Sequence, residues 1–186
     1  MKKLIAIALL CASMQVAAVE FDGIKLGETT QLESTPLVLN GAALREIFFF
    51  KMYAIGLYLT EKQHTAAAVF ADRKAKRIAL HVLIGDVDSE RFLNGFRKGV
   101  KKNHNEAELK ALHERMEMLD KLFSSVQKVK RGDVIAFDWL PDLGTSVKLN
   151  GVELGRIAGE DFYRALLSIW LGDKPVKKEM KKALLG

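Results

Sequence analysis

Apolar positions are densest between residues 37 and 59, LVLNGAALREIFFFKMYAIGLYL. Residues 47–60 are aromatic and β-branched enough to predict one long strand, and the Asn40-Gly41 pair before them predicts a turn. The odd positions carry Ile47, Phe49, Tyr53, Ile55, Leu57 and Leu59, the even ones Phe48, Phe50, Met52 and Tyr58. Both faces are therefore apolar, which predicts a strand covered on both sides or lining a cavity. One guanidinium, Arg45, stands at the head of this run, and a buried charge of that kind is either paired or open to an anion. Glu46 is the nearest carboxylate in sequence for such a pairing.

Further along, residues 65–71 predict a short helix. Residues 77–84 predict a strand with Ile78, Leu80, Val82 and Ile84 on one face and His81 on the other. Ser89 is a cap for a helix to about residue 102 with Phe92, Phe96 and Val100 on one stripe. Asn105 caps a second helix to about residue 127, burying Leu109, Leu112, Met116, Leu119 and Leu122 or Phe123. Strands follow at 133–140, 145–149 and 152–157, the last two joined by Asn150-Gly151, a strong hairpin signal. From Glu160 the spacing of Phe162, Leu166, Ile169 and Trp170 is helical until Gly172, and Pro175 opens a terminal helix. Strands with inserted helices, rather than regular alternation, predict an α+β domain.

The first residues change the picture of where this domain works. Lys2 and Lys3 precede a short apolar stretch and Val16-Ala17-Ala18, the pattern of a secretory signal peptide cleaved after Ala18. That divides the chain into residues 1–18 and a single domain at 19–186, placed in the periplasm. Cys11 is lost with the leader, so the domain has no thiol chemistry. Losing two lysines lowers the formal charge from +6 to +4. This modest excess lies on solvated helix faces and leaves only weak attraction to an anionic membrane surface as an electrostatic partner, with no nucleic-acid role.

Chemistry-bearing motifs are sparse. There is no phosphate-cradling Gly-rich loop and no nucleophile elbow, so no cofactor is expected. His81 and His113 each lack a second ligand at metal-binding spacing, so no metal is expected either.

Several long segments in order resemble the chalcone isomerase-like family, in its exported bacterial branch. They are NGAALREIFFFKMYAIGLYL at 40–59, the strand at 76–84 leading into Asp86-Val87-Asp88, RGDVIAFDWLPDLGTSVKLNG at 131–151, and GEDFYRALLSIWLGDKP at 159–175. The resemblance implies an open-faced β-sandwich, a large antiparallel sheet packed with helices and a ligand cleft between them. It also implies two activities. Fatty-acid-binding relatives hold a carboxylate with an arginine and a tyrosine, which Arg45 and Tyr53 resemble. Phe49, Ile55 and Leu57 would then line the tail pocket. Alternatively, an enzyme of chalcone isomerase type would use Arg45 to stabilise developing oxyanion charge. Phe92 and Asn94 lie where those enzymes bring a tyrosine and an asparagine two turns apart, and their spacing does not match. A third reading makes Arg45 a structural ion pair in an envelope interaction module. On one straight strand Arg45 and Tyr53 would stand roughly 26 Å apart at about 3.3 Å per residue, so their cooperation requires a bend, bulge or hairpin near Phe48-Phe49-Phe50.

Overall fold

The computed structural model describes residues 19–186, so the leader expected at residues 1–18 lies outside the described residues. In chain order the elements are β1 (Val19–Phe21), β2 (Ile24–Leu26), β3 (Thr29–Leu32), β4 (Thr35–Ile47), β5 (Phe50–Leu59), α1 (Ala66–Ala71), β6 (Lys76–Val82) and β7 (Val87–Asp88). They continue with α2 (Ser89–Asn103), α3 (Glu106–Phe123), β8 (Lys128–Val129), β9 (Val134–Leu140), β10 (Gly144–Leu149), β11 (Val152–Ile157), α4 (Glu160–Leu171) and α5 (Lys178–Leu184). Seven strands form one antiparallel sheet in the order β11-β10-β9-β6-β5-β4-β3, and β1–β2 and β7–β8 are separate ribbons.

The helices cover one face of this sheet. Ile55, Leu57, Ile78, Leu80, Ile135 and Phe137 pack there against Phe96, Leu166 and Trp170. The other face is partly roofed by the β1–β2 ribbon, with Phe21, Ile24 and Leu26 against Leu39, Ala54, Tyr58 and Ala79. The doubly apolar pattern of β5 follows from this arrangement: Ile55 and Leu57 serve one core, Ala54 and Tyr58 the other. Gly56 makes room for the roof, since a Cβ there would lie 2.8 Å from the Leu26 side chain.

Local signals account for most boundaries. Thr65 accepts from the Ala68 N–H at the start of α1, and Asn105 forms a complete capping box with Glu108 on α3. Asn150 and Gly151 adopt φ of 52° and 81°, as a tight β10–β11 hairpin requires. Three expectations are corrected. Residue 88, not Ser89, occupies the cap position of α2. α3 stops at Phe123, short of residue 127, and Pro175 lies ahead of α5 rather than in its first turn.

The larger corrections concern residues 35–60. The expected single strand from 47 to 60 is the second half of a hairpin, which reverses at Phe48 and Phe49 so that Ile47 pairs with Phe50. Asn40-Gly41 is not a turn. It lies inside β4, where Asn40 is an extra residue between the Leu39–Tyr58 and Gly41–Leu57 pairs. This bulge is stabilised by tertiary contacts that its local sequence does not reveal. The Asn40 amide donates to Gln63 O at 3.0 Å and Leu184 O at 2.7 Å, and its carbonyl accepts from Gln63 N at 2.6 Å. Gly41 has no Cβ because the backbone of α5 lies against it.

Candidate functional site

The Asn40 bulge decides where Arg45 points. Before it, Leu37 and Leu39 face the roofed side of the sheet; after it, Ala43 faces the helices while Ala42 and Leu44 pack on the roofed side. One inserted residue therefore exchanges the two faces of β4 and turns Arg45 toward the helices. The hairpin then brings Arg45 and Tyr53 together as directly opposed partners in the register of β4 and β5. A second bulge, between the Arg45–Tyr53 and Glu46–Lys51 pairs, makes Met52 the extra residue of β5. Met52 and Tyr53 consequently both reach the same cavity, which strict alternation would forbid.

That cavity, about 430 Å³, lies between this end of the sheet and helices α2 and α4. Its volume falls in the range of small-molecule sites, about 300–1,000 Å³. Val82, Phe92, Phe96, Val129, Ile169 and Trp170 give it an apolar wall. Arg45 lines it together with Arg91, Asp86 and Asp88, the last three exposed at its rim.

The structural reading of Arg45 expected a carboxylate partner. Among the described residues none stands within ion-pair distance, and its guanidinium makes one long contact, 3.4 Å, to the backbone carbonyl of Glu46. Most of its fork is thus available to an anion. Tyr53 is complementary. Its phenolic oxygen accepts from the Trp170 indole N–H at 3.0 Å, which leaves its own proton to donate. Burial raises the pKa of this phenol, against smaller lowering effects of the Trp170 hydrogen bond and the Arg45 charge, so at neutral pH it is a donor. A guanidinium and a neutral phenol side by side at one end of an apolar cavity can satisfy a carboxylate with charge-assisted hydrogen bonds.

The other candidates for the tail pocket lie elsewhere. Phe49 is 98% exposed at the hairpin tip. Ile55 and Leu57 face the helices as expected, but they are sealed in the core further along β5, against Leu167 and Leu184. The reason is the hairpin: it places the cavity at the tip end of β5, so residues toward its other end cannot reach it. The wall residues that sequence reasoning missed include Met52, Val129 and Trp170. For Trp170 the helical spacing that correctly predicts burial conceals its second role as the hydrogen-bond donor to Tyr53.

His81 lies on the roofed face, where burial lowers its pKa. Nearby, Arg77 and Lys148 converge on the fully buried Asp138, with Arg77 Nε to Oδ1 at 2.6 Å, Nη2 to Oδ2 at 2.8 Å and Lys148 Nζ to Oδ2 at 3.0 Å. Among the described residues no group of three or more His, Cys, Asp or Glu could hold a metal ion.

A large antiparallel sheet with helices across one face and an apolar cavity between them is a chalcone isomerase-like architecture. The family model described as chalcone isomerase-like matches residues 18–186, and the chain belongs to this family. Among solved structures it is similar to the crystal structure of an Arabidopsis thaliana fatty-acid binding protein, with a TM-score of 0.69 and 17% sequence identity, over 91% of this chain and 96% of that one. At that identity the likeness is one of fold. No curated protein matches the chain.

Proposed function

We propose that this protein is a periplasmic, non-catalytic binding protein for a fatty acid or a similar apolar carboxylate. The observation that carries the reading is the Arg45–Tyr53 pair: an arginine with no carboxylate partner among the described residues, directly opposite a protonated tyrosine, at the end of an apolar cavity. Arg45 takes the carboxylate, Tyr53 donates to it, and Val82, Phe96, Val129 and Ile169 surround the chain. The fatty-acid binding function of the Arabidopsis protein that shares this fold supports the assignment. Residues 1–18 act as the export signal.

Native mass spectrometry of the protein purified gently from the periplasm tests this. The expected result is a chain beginning at Val19 with an acidic lipid bound, and loss of that lipid in Arg45→Ala. A folded wild type that neither carries nor takes up a fatty acid would overturn the reading. So would an Arg45→Ala protein that retains the lipid equally well.

A further inference from the structure

Four consecutive apolar side chains stand in solvent at the tip of the β4–β5 hairpin. Ile47 is 41% exposed, Phe48 90%, Phe49 98% and Phe50 67%. Phe48 adopts a φ of 55°, a left-handed conformation that suits asparagine or glycine and is rare for a bulky aromatic. Neither packing nor turn chemistry within the fold accounts for phenylalanine at these places, and an exposed cluster of this kind marks a contact surface. The tip is continuous with the cavity: Ile47 lines it, as do Arg45 and Met52 just behind.

We propose that this tip inserts into the interfacial layer of a lipid bilayer and seats the cavity mouth on the membrane, so that an amphiphile passes between leaflet and cavity. Phe48 and Phe49 touch almost nothing among the described residues and project from a two-residue turn. A convex point of this shape would need a matching pocket in a folded partner, whereas a bilayer accommodates it. The charges behind the tip balance. Glu46 is opposite Lys51, and Asp22 bridges Lys51 at 2.7 Å and Arg131 at 2.9 Å. With Asp86, Asp88 and Arg91 at the cavity rim and Arg45 behind it, Asp22, Glu46, Asp86 and Asp88 stand against Arg45, Lys51, Arg91 and Arg131, so polar groups lie at headgroup depth without a net attraction to anionic lipid. Insertion is therefore driven by apolar burial and aromatic preference for the interface, independent of the lysine-bearing helix faces. Among the described residues no helix is long and apolar enough to cross a membrane. The choice of a bilayer over a folded partner rests on the amphiphile reading of the cavity.

Flotation with zwitterionic phosphatidylcholine vesicles tests the proposal, using the protein expressed from the full chain and a Phe48→Asn/Phe49→Ser variant. The variant keeps the turn and carries the same N-terminus, so any association due to residues 1–18 persists in it. The expected result is association of the wild type that survives high salt and falls at least tenfold in the variant, while the variant still takes up a fatty acid by native mass spectrometry. A Phe49→Trp protein should retain association and show a blue-shifted emission with vesicles, since Trp139 and Trp170 are buried. Absence of wild-type association, equal association of the variant, or an unshifted Phe49→Trp emission would overturn it. So would a tip-dependent dimer that ignores vesicles. Fatty-acid uptake is read separately, so failure of the tip and failure of the cavity reading are distinguishable.

Discussion

The indole N–H of Trp170 donates to the phenolic oxygen of Tyr53 at 3.0 Å, linking helix α4 to the sheet inside the cavity wall. This bond fixes which lone pair of the phenol is used and so directs its proton. Trp170→Phe should leave the fold intact but free the Tyr53 hydroxyl to rotate, weakening fatty-acid affinity several-fold in a competition assay. Tyr53→Phe removes the ligand donor and also strands the indole N–H. It should weaken binding and lower stability by about 1–3 kcal/mol in chemical denaturation.

Two arginines in the same sheet should behave oppositely. Among the described residues Arg45 has no carboxylate partner, so Arg45→Ala should change unfolding free energy by no more than about 0.5 kcal/mol while abolishing carboxylate binding. Arg77 neutralises the buried Asp138. Removing it leaves a carboxylate in the core facing only Lys148, and Arg77→Ala should cost about 3–5 kcal/mol without acting on the cavity directly. Denaturant titrations of both variants, with and without fatty acid, check the contrast.

Alkaline pH should weaken the fold through its buried phenols. Desolvation raises the pKa of Tyr53, and that of Tyr163 well above the usual 10.0, with the Asp138 charge adding to the effect at Tyr163. As pH rises past about 10 the unfolded chain loses these protons first, so it binds fewer than the native state and stability falls. The contribution is fully present below the unfolded value and is lost as pH climbs through the folded ones. Thermal midpoints between about pH 8 and about pH 11 should decline, and Tyr163→Phe should flatten the decline. Because the Tyr163 hydroxyl is buried without a partner among the described residues, that substitution should not destabilise the protein at neutral pH.

Asn40→Ala should detach the end of α5. It removes the amide bonded to Gln63 and Leu184, leaving polar backbone groups poorly satisfied in a part-buried site, at about 1–3 kcal/mol. Hydrogen exchange is expected to rise selectively in residues 178–185 and at the β4 bulge.

Much of the fold is legible in local chemistry. The Asn105 capping box, the Asn150-Gly151 hairpin and the helical stripe ending at Gly172 all depend on residues a few positions apart. The β4–β5 hairpin is not legible in this way, because Phe48 and Phe49 lack turn chemistry and continue the apolar run of the strand. Arg45 and Tyr53 are visible as unusual residues and through the family resemblance, yet their convergence depends on that hidden reversal. The cavity wall was harder still. Ile55 and Leu57 have the right chemistry, but the distance along β5 at which the helices stop sealing the sheet is set by tertiary packing.

The bulge at Asn40 gives the last helix an influence on the polarity of a cavity that it does not line. Leu184 helps hold Asn40 out of the ladder, and the odd residue decides on which side of β4 every later side chain emerges. If β4 closed without it, Arg45 would move to the roofed face and Leu44 would enter the cavity. The far end of the chain thus acts as a parity lock, and a protein that lost it could keep its strands yet present hydrocarbon where it now presents a cation.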